Sequence, residues 1–153
     1  DRPSPRPPLL GVVVGAGERE AELKALASRL GVGDRVLWLG WRRDLPELYG
    51  ALDALALTSH DEGTPVAVLE ALAAGVPVVA RDVGGVGEVL ADAAAGTLLS
   101  RQAGPDAWAW ALEAAAAAPP AAQWARDAVV ARYSVARLAR DLAALYTEEA
   151  GRT

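Results

Sequence analysis

Asp53-Ala-Leu-Ala-Leu-Thr-Ser-His-Asp-Glu-Gly-Thr-Pro-Val-Ala-Val-Leu-Glu-Ala-Leu-Ala-Ala-Gly-Val-Pro-Val-Val-Ala80 is the stretch that settles the fold. Its two ends, Asp53 to Leu57 and Val76 to Ala80, are short and almost wholly apolar. Strands covered on both faces read this way, whereas half-exposed strands alternate. Between them, Pro65 to Ala74 is apolar at every position but Glu70. That pattern predicts a buried helix, with Thr64 as N-cap, Pro65 as first helical residue and Gly75 just past the end. Strand, helix and strand in this order make a βαβ unit with a parallel pair.

The same rhythm runs outward in both directions. Upstream, Leu9 to Val14 predicts a strand and Glu18 to Leu30 a helix, with apolar Ala21, Leu23, Leu26, Ala27 and Leu30 at helical spacing and Gly31 as stop. Arg35 to Leu39 predicts a strand and Asp44 to Leu52 a short helix. Downstream, Gly85 to Leu90 predicts a helix and Thr97 to Leu99 a last strand. The remainder is helical: 106–118, a Pro119-Pro120 break, 123–132 and 135–149. The expected class is α/β, a parallel sheet with helices on both faces and a helical C-terminal tail. Residues 1–8, rich in Pro, read as a stiff tether, and 9–153 as one domain.

Composition excludes several kinds of function. The formal charge is −5, with no basic run, which argues against nucleic acid or an anionic membrane as partner. There is no Cys and a single His, His60; thiol chemistry, disulfides and multi-histidine metal sites drop out. No apolar stretch nears the roughly 18 residues of a membrane span. The chain starts at Asp1 and holds no Met, so it is expected to be a fragment or a processed chain.

Sheets of this kind bind ligands beyond the carboxyl ends of their strands. Those ends here are Gly15-Ala-Gly17, Gly40 to Arg43, Thr58 to Thr64, Arg81 to Gly85 and Ser100-Arg101, and they hold much of the Gly and polar content. The helix after Thr64 offers unpaired amides and a positive dipole end, suited to phosphate. Glu70 lies about five residues inside it, roughly 7–8 Å along the axis, and Glu62 lies just ahead of it. Two carboxylates and a row of amides can grip the two ends of a nucleoside diphosphate derivative. Spacing alone leaves another reading open, with Glu62 a solvated loop residue and Glu70 paired with a core Arg.

Glu62 and Glu70 form an E-x7-E motif inside S-x-x-E-G-x-P-x-x-x-L-E-A-x-A-x-G-x-P-V-V, followed by Asp82-Val-Gly-Gly85 and Glu88. Together with Val14-Gly-Ala-Gly17, Arg35-Val-Leu-Trp-Leu-Gly40 and Leu48-Tyr-Gly-Ala-Leu-Asp53, this run resembles the Rossmann-like C-terminal, donor-binding lobe of GT-B retaining glycosyltransferases of the family 4 (group 1) type. The resemblance covers about residues 9–100. It implies that Glu62 touches the donor sugar and is the catalytic-site acid. It implies that Gly63, Thr64, Pro65 and Val66 hold the phosphates, with Ser59 alongside, and that Glu70 binds the ribose. Gly40, Trp41 and Arg42 would lie beside the base, and Gly15 would also line the donor site. The implied substrate is a UDP-, GDP- or ADP-sugar, transferred to a hydroxyl with retained configuration and without metal or cofactor.

The family has a preceding acceptor lobe, and an Arg and a Lys earlier in the donor lobe, that nothing here matches. The chain is therefore expected to be inactive alone and to need an N-terminal lobe as partner. Alternatives are a GT-B sugar-nucleotide epimerase-like lobe, or a non-catalytic nucleotide-binding or interaction module. The expected location is cytoplasmic, membrane-peripheral in the full-length protein.

The other motifs have plainer readings. Gly15-Ala-Gly17 lacks the third glycine of a dinucleotide finger and reads as a tight turn. His60 reads as an ordinary loop residue, and Gly84-Gly85 with Gly87 as a bend or a close approach of backbone. Trp108, Trp110 and Trp124 are expected to pack. Val135, Leu138, Ala139, Leu142, Leu145 and Tyr146 form an apolar stripe, expected to be partly bare and available for self-association.

Overall fold

The computed structural model of the chain describes residues 9–93, 95–120 and 123–152. The expected tether, residues 1–8, lies outside them. The chain divides into two compact units, Asp1–Leu45 and Pro46–Thr153.

In the first unit β1 (Gly11–Val14) and β2 (Val36–Gly40) pair in parallel, as the apolar runs predict. α1 (Glu20–Arg29) joins them, followed by a 3-10 turn at Gly33–Arg35, which takes in the residue expected to open the second strand. α1 starts two residues later than predicted. The Gly17 carbonyl takes the Glu20 amide at 3.1 Å, so the glycine turn uses up Glu18 and Arg19. Of α1 only Ala27 is buried; Leu23 and Leu26 are each 40% exposed. Val13 and Val14 are open too. The two-sided cover expected of these strands is therefore not met, because one ten-residue helix shields one stripe of a two-stranded ribbon.

In the second unit the central strand meets that expectation, while the two outer strands are only half-buried. α2 (Leu45–Gly50) leads into β3 (Leu55–Leu57), α3 (Val66–Ala74), β4 (Val78–Arg81), α4 (Val86–Ala93) and β5 (Thr97–Leu99). The strands lie parallel in the order β3-β4-β5. Then come α5 (Pro105–Ala116), α6 (Gln123–Tyr133) and α7 (Val135–Ala150). Alternation along β4 shows why both faces must be apolar. Val78 and Ala80 pack with Val68 and Leu72 of α3, Val89 of α4 and Val129 of α6. Val79, between them, packs with Ala111 and Ala115 of α5 on the other face. Each such fully buried valine or leucine is worth about 1.5–3 kcal/mol.

α3 ends as its sequence predicts. Gly75 takes φ of +82°, and the amides of Gly75 and Val76 close on the carbonyls of Leu72 and Ala71 at 3.0 and 2.8 Å. That pairing is the Schellman arrangement, in which glycine accepts the left-handed backbone without Cβ cost. From α6, Arg126 Nε donates to the next carbonyl, that of Ala73, at 2.8 Å. Arg132 bridges Glu88 and Asp92 of α4, and the Tyr133 hydroxyl donates to Asp92 at 2.6 Å. α6 is thus tied by polar contacts to both helices that flank β4. Trp108 packs on α5's side of the sheet, but Trp110 and Trp124 are exposed, against the packing expected of them. Their faces of α5 and α6 point outward. Ser134 caps α7 through its hydroxyl, and no residue of α7 is buried.

The turn between β4 and α4 lies directly on the loop between β3 and α3. The Gly85 amide donates to the Glu62 carbonyl at 3.3 Å. A Cβ at Gly84, whose φ is +49°, would sit 1.6 Å from the Glu62 oxygen, and one at Gly85 would sit 2.5 Å from the Gly63 oxygen. These two glycines therefore serve a close backbone approach, and the backbone approached is the loop bearing Glu62. Gly87 is different, since a Cβ there meets only ordinary contacts at 3.6 Å.

Two outcomes are expected. Gly84→Ala forces both a left-handed alanine and a displaced loop and should cost about 2–4 kcal/mol. Gly87→Ala, at a helical position, should be neutral or slightly stabilising. Equal melting temperatures for the two variants would contradict the packing. Secondly, the hydroxyls of Tyr49 and Tyr133 are both pushed up to about 12, by burial first and then by donating to Glu70 and Asp92. An unfolded tyrosine ionises near 10. Between those values the unfolded chain sheds protons that the folded chain keeps, so this contribution is whole below pH 10 and is lost as pH rises towards 12. Calorimetry should show the melting temperature falling across that window, less steeply in Tyr133→Phe.

Candidate functional site

The residues marked by the sequence fall into one group on each unit. On the second unit the group is built by the β3–α3 loop and the first turns of α3. Ser59 and Glu62 are half-buried, Gly63 and Thr64 are exposed, and Pro65 is buried. The Glu62 amide donates to Asp61 Oδ1 at 3.1 Å and its carbonyl receives Gly85, so the backbone of Glu62 is fixed from both sides. Among the described residues its carboxylate enters no ion pair.

Thr64 does not cap α3. Pro65 takes that place, with a non-helical ψ of 82°, and its carbonyl receives the amides of Val68 and Leu69 at 3.0 and 3.1 Å. The helix therefore opens one residue later than predicted, and no side chain closes its start. Among the described residues the amides of Val66 and Ala67 meet no acceptor. Val66 is 58% exposed, so the helix is not buried all round, as its composition suggested. Its outer face carries Val66, Glu70 and Ala74.

Glu70 occupies that open face roughly 6 Å beyond Val66 along the axis. The pairing with a core arginine does not occur; the nearby Arg126 serves the Ala73 carbonyl instead. What holds Glu70 is Tyr49, whose hydroxyl donates to Oε2 at 2.9 Å. The second oxygen, Oε1, has no partner among the described residues. Tyr49 comes from α2 and packs its ring on the main core. Sequence reasoning gave it no role. The signal was faint: an aromatic residue at the end of a short helix, just before a strand.

On the first unit the Gly15 amide donates to the Gly40 carbonyl at 2.7 Å, which brings the ends of β1 and β2 together. Trp41 beyond them is 83% exposed. Arg42 is engaged by Asp44, with Nε at 2.8 Å from Oδ1 and a second bond from Nη2 to Oδ2. This pairing holds the Asp44 carboxyl below the usual carboxylate range. Gly15 also lines a shallow apolar hollow of about 260 Å³, with Val13, Val14, Leu23 and Trp38. Lys24 lies over the Trp38 ring, 5.6 Å from its centre. The hollow was not foreseen from sequence. Among the described residues no group of three or more His, Cys, Asp or Glu side chains is placed to hold a metal ion.

Residues 3–129 match the protein family described as glycosyl transferases group 1. A D-inositol 3-phosphate glycosyltransferase of Salinispora tropica is 43% identical over 100 residues, which are 63% of this chain and 20% of that protein. The structure of Anabaena HepE in complex with UDP superposes with a TM-score of 0.80 at 27% identity, covering 93% of this chain and 42% of that one. The C-terminal domain of the group 1 protein LpcC from Francisella tularensis gives 0.65 at 25% identity, covering 82% of this chain and 70% of that domain. The chain thus spans about a fifth of the length of such curated relatives, and the part it spans has the Rossmann-like fold of a C-terminal GT-B lobe. On that match the chain belongs to the glycosyl transferases group 1 family.

Proposed function

We propose that this chain is the donor-binding lobe of a retaining glycosyltransferase and binds a nucleoside diphosphate sugar through Glu62, the start of α3 and Glu70. The observation that carries this is the state of the two acids. Neither is spent in an internal ion pair among the described residues, and Glu70 has one oxygen held by Tyr49 while the other stays open. A carboxylate so held is pre-oriented to accept a ribose hydroxyl. The unpaired amides of Val66 and Ala67 suit the phosphates, and Glu62 suits a sugar hydroxyl. In the reaction the bond from the anomeric carbon to the phosphate oxygen breaks. An acceptor oxygen bonds to the same face of that carbon, and the acceptor proton passes to the departing phosphate oxygen. Charge gathering on the leaving diphosphate is met by the helix amides, so no metal or cofactor is assigned.

On the first unit, Gly15 and the Gly40–Arg42 segment, the residues expected beside a base, offer mostly backbone, since Arg42 is committed to Asp44. UDP is the base–diphosphate with most support, because HepE was solved with it. The acceptor half belongs to a separate lobe, and this chain alone is expected to bind without turnover. Among the described residues no helix is long and apolar enough to cross a membrane. We assign a cytoplasmic, membrane-peripheral location to the whole enzyme, and self-association of the isolated chain to the apolar stripe of α7.

Titration calorimetry with UDP and UDP-glucose tests the site. Glu70→Gln should weaken both by about 1.5–3 kcal/mol. Tyr49→Phe keeps the ring and removes the hydroxyl, and should weaken both by about 0.5–1.5 kcal/mol. That loss should vanish with 2′,3′-dideoxy-UDP. Glu62→Gln should weaken UDP-glucose more than UDP; equal effects would reject its contact with the sugar. Release of free epimerised sugar-nucleotide would instead favour the epimerase-like reading.

A further inference from the structure

Arg81 is the last residue of β4 and stands at the carboxyl edge of the three-stranded sheet. Its surroundings are odd for a partly buried cation. Nη1 donates to His60 Nδ1 at 3.0 Å. Nε is shut off from solvent and has no acceptor. Among the described residues no carboxylate pairs with Arg81. By contrast Arg19, Arg42, Arg132, Arg137 and Arg152 each meet one, and Arg101 and Arg126 meet backbone carbonyls. A guanidinium keeps its proton, so His60 Nδ1 is the acceptor and the ring proton sits on Nε2, a second donor on the same loop. A charge partly withdrawn from water and paired only with a neutral ring is costly until an anion reaches it, and the way in is Nη2, unpaired among the described residues, since Nε is closed to any ligand.

The position of this pair narrows the anion. His60 lies two residues before Glu62, towards β3 along the chain. The Arg81–His60 bond and the Gly85–Glu62 bond fix the same two segments to each other. Running back from Glu70 through Val66 and Gly63 to Glu62, the loop passes the expected ribose, phosphates and sugar in turn. Arg81 and His60 come next, at the sugar end. We propose that they form a subsite for a carboxylate on the transferred sugar, so that the enzyme prefers uronate donors. This rests on the donor-site reading of Glu62 and Glu70. A planar guanidinium fork fits a carboxylate, and the neutral imidazole adds a donor without cancelling the charge.

Calorimetry on this chain with UDP, UDP-glucose and UDP-glucuronate, and in parallel with GDP, GDP-mannose and GDP-mannuronate, tests the subsite. In the series that binds, the uronate donor should bind at least about tenfold tighter than the neutral one. Arg81→Gln should erase that preference and leave the bare diphosphate unchanged. His60→Ala, on an exposed loop position, should reduce the preference several-fold, and it carries the test if circular dichroism shows Arg81→Gln to be unfolded. Equal affinity for neutral and uronate donors overturns the proposal and leaves the donor site intact. So does an Arg81→Gln variant that weakens the bare diphosphate as much as the uronate donor, or a His60→Ala variant with the preference unchanged. Absence of binding in both series and to ADP and ADP-glucose overturns the donor-site reading, and this inference with it.

Discussion

Backbone lies on backbone where the Gly84–Gly85 turn meets Glu62 and Gly63, and the candidate site of the second unit hangs on that contact. A loop that must present a carboxylate at a sheet edge has few local means of staying in place, because its residues are in neither ladder nor helix. Here it is fixed by its neighbour in space. The neighbouring turn can come near enough to hydrogen-bond only because it has no side chains in the way. The same two segments are joined a second time by Arg81 and His60. Glycine at these positions is thus a requirement of the loop opposite as well as of the turn itself.

α3 is positioned by the same logic, through contacts from elements distant in sequence. Its start is left without a side-chain cap, which costs stability locally and leaves amides free for a ligand. Its end is closed twice, by the Gly75 turn and by Arg126 from α6. An open, polar beginning and a sealed end suit a helix that is a support at one end and a binding surface at the other.

The sequence made the order of strands and helices legible because the apolar runs are short, β-branched and punctuated by glycine. Gly75 ends α3 as its position demanded, and Ser134 starts α7 with the cap its chemistry favours. Less legible was anything decided between elements. Thr64 looked like the cap, and Pro65 took the role through its carbonyl. Glu70 was marked as an acid needing an explanation, but the explanation, Tyr49, lies 21 residues away, as does Arg81 from His60. Spacing rules work within one helix or strand and are silent across such gaps. Burial was misjudged where an apolar pattern met too few covering elements, as in α1 and β1.

The reach of α6 has a bearing on where this lobe can be cut. A boundary drawn after β5, where the alternation of strand and helix stops, would discard Arg126, Arg132 and Tyr133. The carbonyl end of α3 and the acidic flank of α4 would then face solvent, although every strand was retained. The minimal folding piece of the second unit accordingly extends to Tyr133, while α7, with nothing buried, is the portion most open to proteolytic trimming.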